Sequence, residues 1–235
     1  MNTREDIIIA LDFVSAREAE ILVETLGDSA GFYKVGLQLL TAAGPSVIRA
    51  LAEADKKVFL DLKLHEIPNS VMGGVRAAGQ LGASMVTVHG SGGSAVLQAA
   101  AKASREFPDL KVLAVTVVTS MTDADLREIG VDTPVEQQVL RLAALALEAG
   151  CHGVIASPQQ AKPLRDALPA GALIVTPGTR MPSDAGTDQV RVATPGEAIQ
   201  AGASHVVVGR AISKSDDPLG ALSAIAVDID QSRTR

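Results

Sequence analysis

Eight short apolar runs rich in β-branched residues, separated by stretches with helical start and stop signals, predict a (β/α)8 TIM barrel for this 235-residue chain. Alternation of buried strand and helix implies a parallel sheet, and eight units in this length suit a closed barrel better than an open doubly wound sheet. No G-x-G-x-x-G pattern follows the first run, where a dinucleotide-binding sheet would carry one. One domain over residues 1–235 is expected, since 47% hydrophobic content is ample for a large core.

The strand runs are Ile7 to Leu11, Phe32 to Val35, Val58 to Leu62, Met85 to Val88, Val112 to Val118, Gly153 to Ala156, Leu173 to Val175 and Val206 to Val208. Between them, Ser15 with Glu18, Thr133 with Glu136 and Thr194 with Glu197 have capping-box spacing. Pro45, Pro134, Pro158, Pro195 and Pro218 suit first helical turns, and Gly27, Gly150 and Gly202 suit helix ends. The tail from Gln231 to Arg235 is expected to fray. Polar residues stand in or just after the C-terminal end of each run: Asp12 after the first, Lys34 in the second, Asp61 with Lys63 on the third, then His89, Thr119 to Thr122, Ser157, Thr176 to Gly178, and Gly209 with Arg210. In barrels that rim carries the chemistry.

The third run holds the densest signal, Lys57 to Ser70, KVFLDLKLHEIPNS. Val58, Phe59 and Leu60 read as a strand covered on both faces, and charge then breaks in. Side chains two apart on a strand share a face, so Asp61 and Lys63 are expected to point the same way. Glu66 follows, Ile67-Pro68 stops the strand, and Asn69 or Ser70 is available to cap the next helix. A lone Asp-x-Lys would read as a structural salt bridge, but here three ionisable groups crowd into six residues. Lys34 lies inside an apolar run, and a buried lysine needs a partner; Asp61 on the neighbouring strand is the expected one. Asp12 either contacts a ligand hydroxyl or begins the helix ahead of Ser15, and taken alone it reads as the helix start.

Two loops near the end of the chain read as an anion grip. Thr176 to Arg180, TPGTR, and Val206 to Ile212, VVVGRAI, follow the seventh and eighth runs, the usual phosphate site of barrels. Gly209 lets backbone N–H groups approach an anion, while Arg180 and Arg210 supply charge-assisted bonds. Pro, Ser, Asp and Gly in Met181 to Gly186 suit a closing lid that brings Gln189 to the ligand, ahead of Arg191. Either loop alone is ordinary surface; both at adjacent strand ends are not.

Composition excludes several classes. A net charge of −6 and 2% aromatic residues argue against a nucleic-acid surface. No stretch approaches a membrane span, and the apolar run near the N-terminus is too short for a signal peptide. The one cysteine, Cys151, permits no intramolecular disulfide, reads as a small buried residue and fits a reducing cytoplasm. The four histidines lack ligand spacing and no metal is assigned; His89 reads as structural, and His152 and His205 fall at strand starts, on the stability face.

Together DLKLHEIPNS, the upstream FYKVG, the spacing from TPGTRM to DQVR, and the closing VVVGRAI resemble bacterial orotidine 5′-phosphate decarboxylases from Ile7 to about Leu222. The resemblance implies a cofactor-free barrel homodimer that converts orotidine 5′-phosphate to UMP and CO2 in pyrimidine synthesis. It implies Lys63 as proton donor, Lys34 and Asp61 as its charge network, Asp12 as a ribose contact and Thr122 as a pyrimidine contact. It further implies a phosphate grip of Arg180, Gln189, Gly209 and Arg210. Glu66 stands where the family motif has aspartate, which reaches the partner subunit's site together with residues matching Ile67 and Ser70. Glutamate keeps the charge and adds a methylene, and an ångström of misplacement costs about 10²-fold in rate; a compensated, active variant is expected. Two alternatives remain at this stage: a metal-dependent sugar-phosphate decarboxylase or aldolase sharing the Asp-x-Lys pattern, and a UMP-binding protein whose catalysis Glu66 impairs.

Overall fold

Period-two alternation along each strand sorts side chains either into the barrel or out against the helices. The computed structural model describes residues 3–181 and 193–234. Its strands are β1 (Ile7–Ala10), β2 (Phe32–Gly36), β3 (Lys57–Leu64), β4 (Met85–His89), β5 (Lys111–Val115), β6 (Gly153–Ile155), β7 (Leu173–Pro177) and β8 (His205–Val208). Each pairs in parallel with the next, and β8 returns to β1 through Ile7 opposite Val206, closing the barrel. Every predicted strand is present. The fifth stops at Val115 and the third runs on through Lys63 and Leu64.

The inward residues Ile8, Ala10, Phe32, Phe59, Met85, Leu113, Val115, Ile155, Val175 and Val207 form a buried plug of their own. Outward residues such as Ile9, Tyr33, Leu60, Val86 and Val154 join the larger core beneath the helices. The strands thus lack a polar face over most of their length, as a fully covered parallel sheet requires.

The helices are α1 (Ala16–Leu26), α2 (Leu37–Ala43), α3 (Ser46–Glu53), α4 (Pro68–Gln80), α5 (Ser94–Ser104), α6 (Asp123–Glu128), α7 (Val135–Glu148), α8 (Ala161–Ala167), α9 (Pro195–Gln200), α10 (Arg210–Ser213) and α11 (Pro218–Arg233). Ser15 caps α1 by accepting from the Glu18 N–H, and Thr194 with Glu197 makes a full capping box on α9. Thr133 does not cap α7. That helix begins at Val135, whose N–H is taken at 2.8 Å by the Asp123 carboxylate from across the loop. Nor do Asn69 and Ser70 cap α4: Pro68 suits a first helical turn, so the helix starts before them, at Pro68 with Ile67 in the N-cap position.

The C-terminal tail is docked rather than frayed as far as Arg233. Ser232 is buried, Thr3 bonds to Asp230, and the Arg233 guanidinium reaches both the Asp6 carboxylate and, at 2.9 Å, the Thr3 hydroxyl. These bonds tie the last helix to the segment that enters β1.

Candidate active site

The apolar plug ends at one level, and the next inward positions are polar. Lys34 follows Phe32 on β2, Asp61 follows Phe59 on β3, and Thr87 follows Met85 on β4, each two residues further along its strand. Asp12 follows Ala10 just beyond β1. The four strands therefore deliver three charged groups and one hydroxyl to one corner of the C-terminal rim.

There the charges alternate in sign. The Lys34 ammonium lies 2.9 Å from Asp12 Oδ1 and 4.0 Å from Asp61 Oδ2, and the Lys63 ammonium lies 2.8 Å from that same Asp61 oxygen. Side-chain exposure is 10% for Lys34 and 13% for Asp61, but 40% for Lys63 and 53% for Asp12. The middle of the row is thus closed and its two ends face the mouth. Removing charges from water costs several kcal/mol per ion, so this central pair persists because each member has opposite charges on both sides.

Three expectations need correction. The nearer partner of Lys34 is Asp12, not Asp61, because Asp12 leaves β1 beside β2; Ser15, not Asp12, begins α1. And although Asp61 and Lys63 do meet, they are not joined by regular pleating. Lys63 has φ +51°, and between β3 and β4 the chain advances from Leu60 to Leu64 while its partner advances only from Val86 to Val88. A left-handed non-glycine residue costs about 1–2 kcal/mol. Here the turn is held on both sides, by the Lys63 ammonium on Asp61 and by the Lys63 N–H, which donates at 2.8 Å to the Thr87 hydroxyl.

Thr87 is a site residue that sequence reasoning missed. It is fully buried, and its hydroxyl donates a hydrogen bond to Asp61 Oδ1 at 2.9 Å. Gly36, at the end of β2, leaves room for the row, since a Cβ there would stand 3.1 Å from the Lys34 ammonium and 3.6 Å from Asp12 Oδ1.

Glu66, Ile67 and Ser70 lie on the outer rim, all exposed, and Ile67 is 62% so. Glu66 bends back on its own segment: Oε1 accepts from the Ile67 N–H at 3.0 Å, and this bond, with one from Ser70, holds the carboxyl below the usual range. Glu66, Ile67, His65, Pro68, Ser91, Gly92 and Val96 line a recess of about 450 Å³. His65 stacks on His89 with ring centroids 5.0 Å apart, and His89 Nδ1 meets the Ser91 hydroxyl at 2.6 Å. Burial, then the neighbouring His65 and Lys63, keep His89 below its ordinary value, so it is neutral at pH 7.

Thr122 caps α6. Its hydroxyl accepts from the Asp125 N–H at 3.4 Å and donates to the Asp125 carboxylate at 2.7 Å. After β7, the Arg180 N–H donates to the Ala193 carbonyl at 3.1 Å and so joins the end of TPGTR to the segment that enters α9. Beside it Gly209 precedes α10, whose first residue is Arg210, and a Cβ at Gly209 would stand 3.9 Å from Asp12 Oδ2. The arginine corner therefore adjoins the charge row. Gln189, Arg191 and lid positions 182–186 lie outside the described residues.

The other end of the barrel differs. A larger cavity of about 810 Å³ opens there among Phe32, Lys57, Ser84, Met85, Lys111 and His205, at the strand starts. His152 Nδ1 accepts the Val112 N–H at 3.1 Å, and burial pushes the Cys151 thiol up to about 12. Among the described residues no three His, Cys, Asp or Glu side chains gather in a metal-ligating group, and no helix is long and apolar enough to cross a membrane.

A closed parallel barrel with a paired Asp–Lys row on its C-terminal rim, flanked by two arginine-bearing loops, defines a barrel enzyme acting on a small anionic substrate. The family model described as Orotidine 5′-phosphate decarboxylase / HUMPS family matches residues 5–225. An orotidine 5′-phosphate decarboxylase of Moorella thermoacetica is 46% identical, with 98% of this chain and 94% of that protein covered. One from an Anaeromyxobacter species is 44% identical, with 97% and 100% covered. The crystal structure of orotidine 5′-phosphate decarboxylase from Lactobacillus acidophilus superposes with a TM-score of 0.85 at 38% identity, covering 95% of this chain and 98% of that one. This chain belongs to the orotidine 5′-phosphate decarboxylase / HUMPS family.

Proposed function

We propose that this chain is a cofactor-independent carboxy-lyase that converts orotidine 5′-phosphate to UMP and CO2 in pyrimidine biosynthesis. The observation that carries the reading is the alternating row Asp12, Lys34, Asp61 and Lys63, which presents one half-open ammonium on the rim that also carries Gly209 and Arg210.

Loss of CO2 from C6 leaves an electron pair that no adjacent carbonyl delocalises. The Lys63 ammonium stabilises that developing charge and then gives C6 its proton. Asp61, held between two lysines and Thr87, stands where the substrate carboxylate must enter, so repulsion is relieved as CO2 departs. At 4 Å and an effective dielectric near 20 that is worth roughly 4 kcal/mol. Slow reactions need about 8 to 23 kcal/mol of barrier reduction, so most comes from the preorganised ammonium and from phosphate binding by Arg180, Gln189, Gly209 and Arg210. Asp12 takes the ribose hydroxyls and Thr122 the pyrimidine.

The protein acts as one barrel domain in the cytoplasm and as a homodimer in which Glu66 to Ser70 enter the partner's site. Exposed Ile67 beside an open recess supports that arrangement. Both Asp61 oxygens are already engaged by Thr87 and Lys63, which favours ammonium chemistry over the metal-dependent sugar-phosphate reactions.

One observation favours a second reading, a UMP-binding protein with impaired chemistry: Glu66 turns its carboxylate onto Ile67 and Ser70 rather than outward. Ultraviolet absorbance of orotidine 5′-phosphate mixed with metal-free protein separates the two. Rapid loss supports the decarboxylase. Tight UMP binding with steady absorbance supports the second reading, and restored turnover in Glu66→Asp would then trace the lesion to the extra methylene.

A further inference from the structure

We propose that Thr87 is a positioning residue for this decarboxylation: its hydroxyl, at the break between β3 and β4, sets where the Lys63 ammonium and the Asp61 carboxylate stand. The inference rests on the decarboxylase reading and adds to it a residue that touches no substrate.

A threonine hydroxyl has one proton and two lone pairs. The Lys63 N–H can only donate, so Thr87 Oγ1 accepts there at 2.8 Å, and its proton is free for Asp61 Oδ1 at 2.9 Å. Both bonds therefore have a fixed direction and both end on the charge row. They sit where the β3–β4 register slips, between Leu60 opposite Val86 and Leu64 opposite Val88. In a regular ladder a backbone carbonyl would satisfy a strand N–H; here a side chain takes that place, and the backbone is free to adopt the φ of +51° at Lys63.

The hydroxyl itself is well fixed. Thr87 is wholly buried, its β-branch restricts χ1, and it lies on the inward face above Met85. With one Asp61 oxygen on Thr87 and the other on Lys63, the carboxylate has no free rotation left, and the ammonium is oriented by a carboxylate that cannot turn. A hydroxyl that merely filled space, or merely satisfied one donor, would not link the backbone of the proton donor to the side chain of its counter-ion. Val in its place would keep the shape and lose both bonds, while Ser would keep both.

The test compares the parent with Thr87→Val and Thr87→Ser, measuring kcat and KM for orotidine 5′-phosphate, UMP affinity by calorimetry, and exchange of the Lys63 amide proton by NMR. The expected result for Thr87→Val is a kcat lower by about 10²-fold, the loss ascribed to misplacement by an ångström. Its KM and UMP affinity stay near the parent's, and its Lys63 amide exchanges faster. Thr87→Ser should restore both the rate and the protection. An active parent whose Val variant keeps its kcat, or loses UMP affinity together with kcat, or is not rescued by Ser, overturns this inference alone. A parent that leaves orotidine 5′-phosphate intact overturns the decarboxylase reading, and this inference with it.

Discussion

The two ends of the barrel both carry charged and titratable side chains, yet they use them differently. At the C-terminal rim the ionised groups bond to one another: Asp12 to Lys34, Asp61 to Lys63, with Thr87 joining the last two. At the N-terminal end the charges form no such row: Lys57 meets Glu5 in an exposed pair, Lys111 bonds to the Pro108 carbonyl, and His205 Nδ1 is buried without a partner among the described residues. The larger cavity lies at the second end and the mutual charge network at the first. Chemistry is marked by charges held against each other with the ends of the row open, and cavity size is a poorer guide.

The comparison breaks most readily in the arginine corner. Arg210→Ala removes a charge-assisted bond worth about 1.5–3 kcal/mol, so kcat/KM and UMP affinity should both fall by roughly 10- to 100-fold at 1.4 kcal/mol per decade. Steady-state kinetics and calorimetry check this, and unchanged values would remove Arg210 from the phosphate grip. Gly36→Ala should act more gently. The new Cβ displaces the Lys34 ammonium by a few tenths of an ångström, so kcat should drop by less than the about 10²-fold of a full ångström, with the melting temperature nearly kept. A rate equal to the parent's would mean that the row tolerates displacement.

The smallest effect on rate is expected at the other end. His205→Phe should leave kcat unchanged and alter the pH dependence of stability instead. Burial first of all holds His205 below its ordinary value of 6.5, and the same holds for His89 and His152. As pH falls below that value the unfolded chain takes up protons that the folded chain refuses, so stability is lost with falling pH until the folded values are reached. Melting scans from pH 7 to pH 5 should show this loss in the parent and a smaller one in His205→Phe. A variant that lost activity would place function at the wrong end of the barrel.

Much of this was legible in the residues. All eight strands follow from β-branched runs, and the rim could be read because a covered strand has no other reason to end in Asp, Lys or Arg. What escaped depends on neighbours distant in sequence. Thr87 looks like any strand former until β3 and β4 are set side by side, and its role appears only where their register slips. The partner of Lys34 depended on how β1 exits, and the start of α7 on a carboxylate 12 residues upstream, at Asp123. The docked tail depended on Thr3 and Asp6 at the far end of the chain. Local spacing carries the elements and some caps, those of Ser15 and Thr194; it does not carry which charge reaches which.

The central claim is that the half-open ammonium of Lys63 performs the chemistry while the arginine corner holds the nucleotide. The most direct test follows absorbance of orotidine 5′-phosphate with the metal-free parent and with Lys63→Ala, alongside UMP binding to both. The account predicts rapid loss with the parent, none with Lys63→Ala, and similar UMP affinity for the two. Decarboxylation retained by Lys63→Ala would contradict it.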